Sequence, residues 1–363
     1  MAVLLTVQPS RPSSVLLVFL AATIVALLVS FRRPIPLAAV LLLLVGGVGI
    51  RFAIYSQVGS DVLEVTSAAI DRVFAGLNPY GVGYPESRPP GAPFPYGPLA
   101  IFWYLPLADA PRLLELCSAS IVLAALAVRG KLFGLAVYAT APVLVALSVD
   151  GSNDTSLGLL LLIAFGIAQR RPLVAAIVLA AAVAFKVSAA AWVPAFLFWG
   201  GWSVAGAFGI ASVVAWAPVL LVWGPASFLR SVEQANQLHG NTTIWSLGSV
   251  LRDIFGRAAV LPLEQLRLVF GAVTAGVTLR FVRSLDGVIV AGTLVYLVTL
   301  FSGGWSTYAY FAAIGPILCW RLDDWLGLPA EPLVLRRAAE LDPEVDSTAD
   351  PDAPLATAPS PTD

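Results

Sequence analysis

Long apolar runs separated by short polar breaks make up most of the chain, and one break is far longer than the others. Apolar segments occupy 13–30 and 35–55, then 96–107, 113–128, 132–149, 157–168, 173–185, 187–199, 204–223, 261–281, 288–301 and 305–320. They are continuous rather than alternating, which predicts helices and not half-buried strands. A hydrocarbon core about 30 Å thick requires runs of this kind, and in lipid only helices or closed barrels satisfy the backbone. The pattern predicts an all-α polytopic membrane bundle of about ten transmembrane helices. Several segments are short for a full crossing and read as half-helices or re-entrant pieces.

The long break, GSDVLEVTSAAIDRVFAGLNPYGVGYPESRPPGAPFPYGPLAIFWYLP, runs over 59–106 and mixes acids, aromatics, glycines and prolines. Its first part, 62–76, is amphipathic and helix-like, and Gly76 and Pro79 stop it. Residues 85–98 are too proline-rich for regular structure. We expect 56–93 to be a long, partly helical first outer loop carrying the active site.

Composition agrees with the pattern. The 363 residues are 58% hydrophobic and 12% charged, about half the charge of a soluble domain. A net charge of −1 gives no basic footprint for nucleic acid. Cys117 and Cys319 lie inside apolar runs and suit core packing; His239 is the only histidine, so a multi-histidine metal site is excluded. Neither a metal nor a cofactor is expected. The sequence has no P-loop and no GxGxxG between a strand and a helix, so any chemistry should draw on a lipid-borne substrate.

Charge also sets the topology. Arg32 and Arg33 should face the cytoplasm, which sends 35–55 outward. If every segment crosses, Arg129/Lys131 and Arg170/Arg171 fall outside, against the positive-inside tendency. If one segment between Tyr96 and Val128 fails to cross, both pairs move inside with Arg280, Arg283 and Arg321, and Asp150–Asp154 joins the first loop outside. The second count is preferred. It gives a membrane domain over 1–322 in the plasma membrane, its active site outward, and a disordered cytoplasmic tail over 323–363, rich in Pro, Asp, Glu, Ala and Thr.

Asp61 follows a spanning helix and reads either as a general base or as the N-cap of the next helix, with Glu64 three residues on. Asn78, Tyr80 and Tyr96 stand on a proline scaffold near the interface, and Arg88 could meet a phosphate. Asp150, Asn153 and Asp154 could bind sugar hydroxyls, or cap the helix from Thr155. Lys186 lies in so apolar a setting that function outweighs snorkelling from a helix end. His239 and Asn241, in the outer stretch 225–243, and Trp305 and Tyr308, in a turn of small and aromatic residues, complete the candidates.

These features together resemble the GT-C membrane glycosyltransferases, most closely the polyprenol-phosphate-mannose-dependent mannosyltransferases of glycosyltransferase family 87. The resemblance rests on Ser60-Asp61, on Ala68-Ala69 followed by Gly76-Leu77-Asn78-Pro79-Tyr80, and on Pro93-Phe94-Pro95-Tyr96-Gly97-Pro98-Leu99. Ala141-Pro142, Gly151-Ser152-Asn153-Asp154 and Lys186 continue it, so that it covers roughly 50–320. It departs at Gly97, where the family more often has proline, and at 150–153, where a glycine-glutamine pair is common. It implies a polyprenyl-phosphate-linked sugar donor, mannose first, and a glycolipid or cell-envelope glycan as acceptor. Transfer would invert the anomeric centre, with Asp61 as base and Lys186, with Arg88 or His239, stabilising the departing phosphate. The alternative is a transporter or flippase of a lipid-linked sugar, in which Asp61, Asp150 and Lys186 line a path.

Overall fold

Prolines open many of the helices, at the first-turn position where the missing amide would have had no partner. The computed structural model describes residues 37–55, 60–239, 246–256, 260–303 and 307–328. The expected helix at 13–30 lies outside these, as do residues 329–363 of the expected tail. Helix α1 is Leu37–Ile54, α2 is Val62–Phe74, α3 is Pro98–Tyr104 and α4 is Pro111–Val128. There follow α5 (Leu132–Thr140), α6 (Pro142–Leu147), α7 (Asp154–Ala168), α8 (Pro172–Phe185) and α9 (Val193–Pro218). The remainder is α10 (Pro225–His239), α11 (Leu247–Phe255), α12 (Val260–Leu279), α13 (Leu285–Phe301) and α14 (Tyr310–Trp325). The strands among the described residues are a two-residue antiparallel pair, β1 (Gly83–Tyr84) with β2 (Ala92–Pro93), inside the stretch expected to be irregular.

Helix α7 is the centre of the bundle. Nearly every residue on it is buried, and α4, α8 and α14 pack around it. Small residues let these backbones close up, as between membrane helices. A Cβ on Gly158 would sit 2.7 Å from the Ala312 carbonyl oxygen, and one on Gly134 of α5 would sit 1.9 Å from that of Cys319, so α14 fits only against glycine at both points.

The segment expected at 132–149 is broken. Pro142 has no amide to give the Tyr138 carbonyl four residues earlier. Arg51 of α1 takes over: its Nη2 donates to that carbonyl oxygen at 2.7 Å, and its Nε donates to Ser148 Oγ at 2.7 Å. Arg51 is fully buried, with its guanidinium 4.8 Å from the Tyr138 ring centre.

The stretch Val187–Trp223 is apolar over 37 residues, and only 11% of its most apolar window is buried. A soluble core helix would be mostly covered; this one presents Phe198, Trp202, Ile210, Val213 and Leu221 outward, as lipid requires. As a single helix it would measure about 55 Å. Yet Lys186 at one end lies over Tyr96, and Trp223 at the other stacks on Phe102, six residues further along the same short segment. The chain therefore doubles back. Gly201, at φ +72°, is where it turns, and the two runs expected from sequence, 187–199 and 204–223, are the two arms.

Helix α3 is about 10 Å long, too short to cross a bilayer. It starts beside Lys186, ends at buried Tyr104, and the chain returns to α2, where Ser67 Oγ donates to the Ala108 carbonyl at 2.6 Å. The segment expected at 96–107 is thus a short helix followed by a return, without the length for a crossing. Helix α4 then leaves from the same end, and a second set of basic residues lies at the opposite one. There Lys131 pairs with Asp324, Arg321 reaches Asp286 at 2.6 Å, and Arg129 lies over Trp320. Arg170 and Arg171 are exposed at the turn between α7 and α8.

The bundle is helical as expected. Among the described residues, two stretches, Pro111–Val128 and Val187–Trp223, are both long and apolar enough to cross a membrane, fewer than the expected ten or so. The domain edge at 323 needs moving. Asp323 is buried within α14 and accepts from the Phe133 and Gly134 amides at 3.0 and 2.8 Å, tying down the start of α5.

Candidate functional site at the acid-lined end

Two main-chain hydrogen bonds build the site. Ser60 N donates to the Asp150 carbonyl at 2.8 Å, and Leu63 N donates to that of Gly151 at 3.1 Å. Gly151 stands at φ +95°, and a Cβ there would lie 2.6 Å from the Ser60 carbonyl oxygen. The close approach thus needs glycine on both conformational and steric grounds. It joins two acidic clusters that are far apart in sequence.

Asp61 stands at the N-cap of α2, but its side chain makes no capping bond. Ser60 Oγ takes the Val62 amide instead, at 3.3 Å. The Asp61 carboxylate accepts a hydrogen bond from the Arg88 backbone amide, which fixes its direction across the loop. Glu64, one turn on, bridges two cations: its Oε1 is 3.4 Å from Arg112 and its Oε2 3.8 Å from Arg88. The Arg88 side chain is 62% exposed. Arg72 Nε donates to the Asn78 carbonyl at 3.2 Å.

Asp154 opens α7 and is buried. Its Oδ1 accepts from Lys186 Nζ at 2.7 Å, and Asn153 Oδ1 accepts from the same ammonium at 3.0 Å. Lys186 therefore does not snorkel away from the core; it is held there, 5.5 and 5.9 Å from the ring centres of Tyr96 and Tyr310. Asn153 Nδ2 is buried without a protein partner, which leaves it open to a bound hydroxyl. Burial, with Asp154, Asp61, Tyr310 and Asp150 nearby, holds the Tyr96 hydroxyl far above its ordinary range, so it remains a proton donor at the centre of these acids. Gly97 matters to this arrangement. Its amide donates to the Phe185 carbonyl at 3.2 Å, and any Cβ there, proline's included, would meet the Ala184 carbonyl oxygen at 2.0 Å.

Asp150 accepts from the Ser152 amide at 2.7 Å, and desolvation pushes its carboxyl up to about 6. Because the folded value lies above the ordinary 3.8, the fold favours the neutral acid, and stability present at low pH is lost as pH rises from about 4 to about 6. Asp150→Asn, neutral throughout, is expected to hold its thermal midpoint over that window while the wild type's falls. Parallel curves for the two proteins in detergent at fixed ionic strength would refute the assignment.

Other candidates divide. Asn78 and Tyr80 have structural partners: Asn78 Nδ2 donates to the Trp223 carbonyl at 2.6 Å, and Tyr80 OH to that of Tyr96 at 3.1 Å. They hold the hairpin and so place Tyr96 indirectly. Residues 225–239 are helix α10 and not an open loop; Ser231 on it accepts from the Gly81 amide at 2.8 Å. The His239 side chain, Asn241 and Trp305 lie outside the described residues. Tyr308 is exposed just before α14.

Sequence reading passed over Glu115, Arg112 and Ser156. Glu115 is buried on α4 and accepts from Tyr104 OH at 2.5 Å, from the Ser156 amide at 3.0 Å and from Ser156 Oγ. It thereby ties α3 to the first turn of α7, two residues from Asp154. An acid inside an apolar run was the available signal. No family model, curated protein or solved structure matches the chain.

Proposed function

We propose that the chain is a multi-pass membrane glycosyltransferase that moves a sugar, mannose first, from a polyprenyl-phosphate donor to a glycolipid or cell-envelope glycan. The observation that carries this reading is the state of Asp61: it opens a helix without capping it, and its carboxylate is aimed by a backbone amide beside a second acidic cluster. In the proposed step Asp61 takes the proton of an acceptor hydroxyl, whose oxygen attacks the anomeric carbon from the face opposite the phosphate. The bond from that carbon to the phosphate oxygen breaks, polyprenyl phosphate leaves with the electron pair, and the centre inverts. Lys186 is already committed to Asp154 and Asn153, so its part is to hold α7 and the sugar-facing Asn153 in place. Exposed Arg88 is better placed to meet the phosphate, as a planar donor suited to that group.

The placement of charge supports the orientation. With about ten spans, the basic end faces the cytoplasm and the acid-lined end faces outward, where lipid-linked sugars are the available donors. The exposed apolar arm over 202–223 lies on the membrane flank of the site, where a polyprenyl chain would run. The test is transfer of radiolabel from polyprenyl-phosphate-mannose to endogenous glycan in membranes that contain the chain. Label moving into product supports the reading. No transfer from mannose or any other lipid-phosphate sugar, with donor crossing liposomes that carry the purified chain, would replace it with the flippase.

A further inference from the structure

Around Glu64, one helical turn along α2 from Asp61, lies an open pocket of about 380 Å³ whose walls include Tyr55, Leu63, Glu64, Ser67, Asp109 and Arg112. That volume is at the small end of the roughly 300–1,000 Å³ usual for small-ligand sites. We infer that this pocket binds a saccharide unit of the acceptor, and the inference rests on the transferase reading above.

The chemistry of the walls selects the class. Glu64 and Asp109 give two carboxylates, balanced by the guanidiniums of Arg112 in the wall and Arg88 on the far side of Glu64, so the walls carry no net charge to select an anion. A polyprenyl chain would strip water from these charged groups and offer them no hydrogen bond in return, which is costly. A neutral, hydroxyl-rich ring suits them: its hydroxyls donate to carboxylates and accept from a guanidinium, and charge-assisted hydrogen bonds of this kind are the strong ones. Position then links the pocket to the base. Glu64 faces Arg112 through Oε1 and Arg88 through Oε2, and the Arg88 amide holds Asp61. Arg112 lies on the other side of the same junction, since a Cβ on Gly151 would sit 3.2 Å from its Nη2. A sugar seated on Glu64 is thus one helical turn from the carboxylate proposed to take its proton.

The test uses the full chain purified in detergent, with α-mannobiose titrated in and followed by saturation-transfer NMR. Wild type is expected to bind. Asp109→Ala and Glu64→Gln are each expected to weaken binding about tenfold, the loss of one hydrogen bond to a charged group. Asp71→Ala, exposed elsewhere on α2, should bind as wild type does. In the transfer assay Asp109→Ala should raise acceptor KM by the same factor and leave donor KM unchanged. No binding by wild type, or equal binding by wild type and both pocket variants, overturns the inference. Binding that responds to the variants while wild type transfers no sugar keeps the pocket as a saccharide site and removes the transferase.

Discussion

Asp61→Asn is expected to reduce sugar transfer by about a hundredfold or more while leaving the protein folded, the effect of removing a general base. The two halves of that expectation have separate physical causes. Asparagine keeps an oxygen that can accept from the Arg88 amide, so the contact that aims the side chain survives. Nor is a helix cap lost, because Ser60 and not Asp61 takes the Val62 amide. What asparagine cannot do is accept a proton from the attacking hydroxyl. Transfer measured from polyprenyl-phosphate-mannose at equal expression decides the matter. Full activity in the variant would strip Asp61 of the role and turn attention to Asp150, its neighbour across the main-chain clasp.

The second large effect falls on stability. Lys186→Met leaves Asp154, 2% exposed, without its ammonium partner. Breaking a buried pair from one side costs about 3–5 kcal/mol, chiefly through the stranded charge, which corresponds to a fall of about 5 °C in thermal midpoint for a chain of this size. Adding Asp154→Asn removes that charge, so the double variant should recover most of the midpoint. Thermal unfolding in detergent checks both. A single variant as stable as wild type, or a double variant no better than the single, would mean the pair is not coupled as the geometry indicates. On the proposed reading transfer should stay low in the double variant, because Asn153 loses the ammonium that holds its oxygen.

Much of the architecture was legible because local rules acted alone. Apolar runs located α3, α4, α7 and α8 to within three residues, and the break around Gly201 separated two apolar arms that no charge divides. The run at 96–107 proved to hold a helix of only seven residues, too short for a crossing. Other features were decided by distant partners. Nothing near Lys186 in sequence indicates Asp154, 32 residues earlier, as its counter-ion. Nothing near Pro142 indicates that Arg51 would satisfy the carbonyl it strands. Glu115 and Arg51 were visible as charges in apolar runs, but their roles come only from which helices the fold sets beside them. The β1–β2 pair was hidden by its prolines, which suit an edge strand but read as breaks.

The turn at Gly201 has a consequence for how the chain is made. On the membrane reading, its two arms are joined by Gly200-Gly201-Trp202, a link with no lysine or arginine to hold it on the cytoplasmic side. Neither arm can then be oriented by charge at the link as it leaves the ribosome. Residues 187–223 should enter the bilayer together as one hairpin, its direction dictated by Arg170 and Arg171, already in place ahead of α8. Those two arginines, far from any chemistry, would decide during synthesis which face of the membrane receives Lys186.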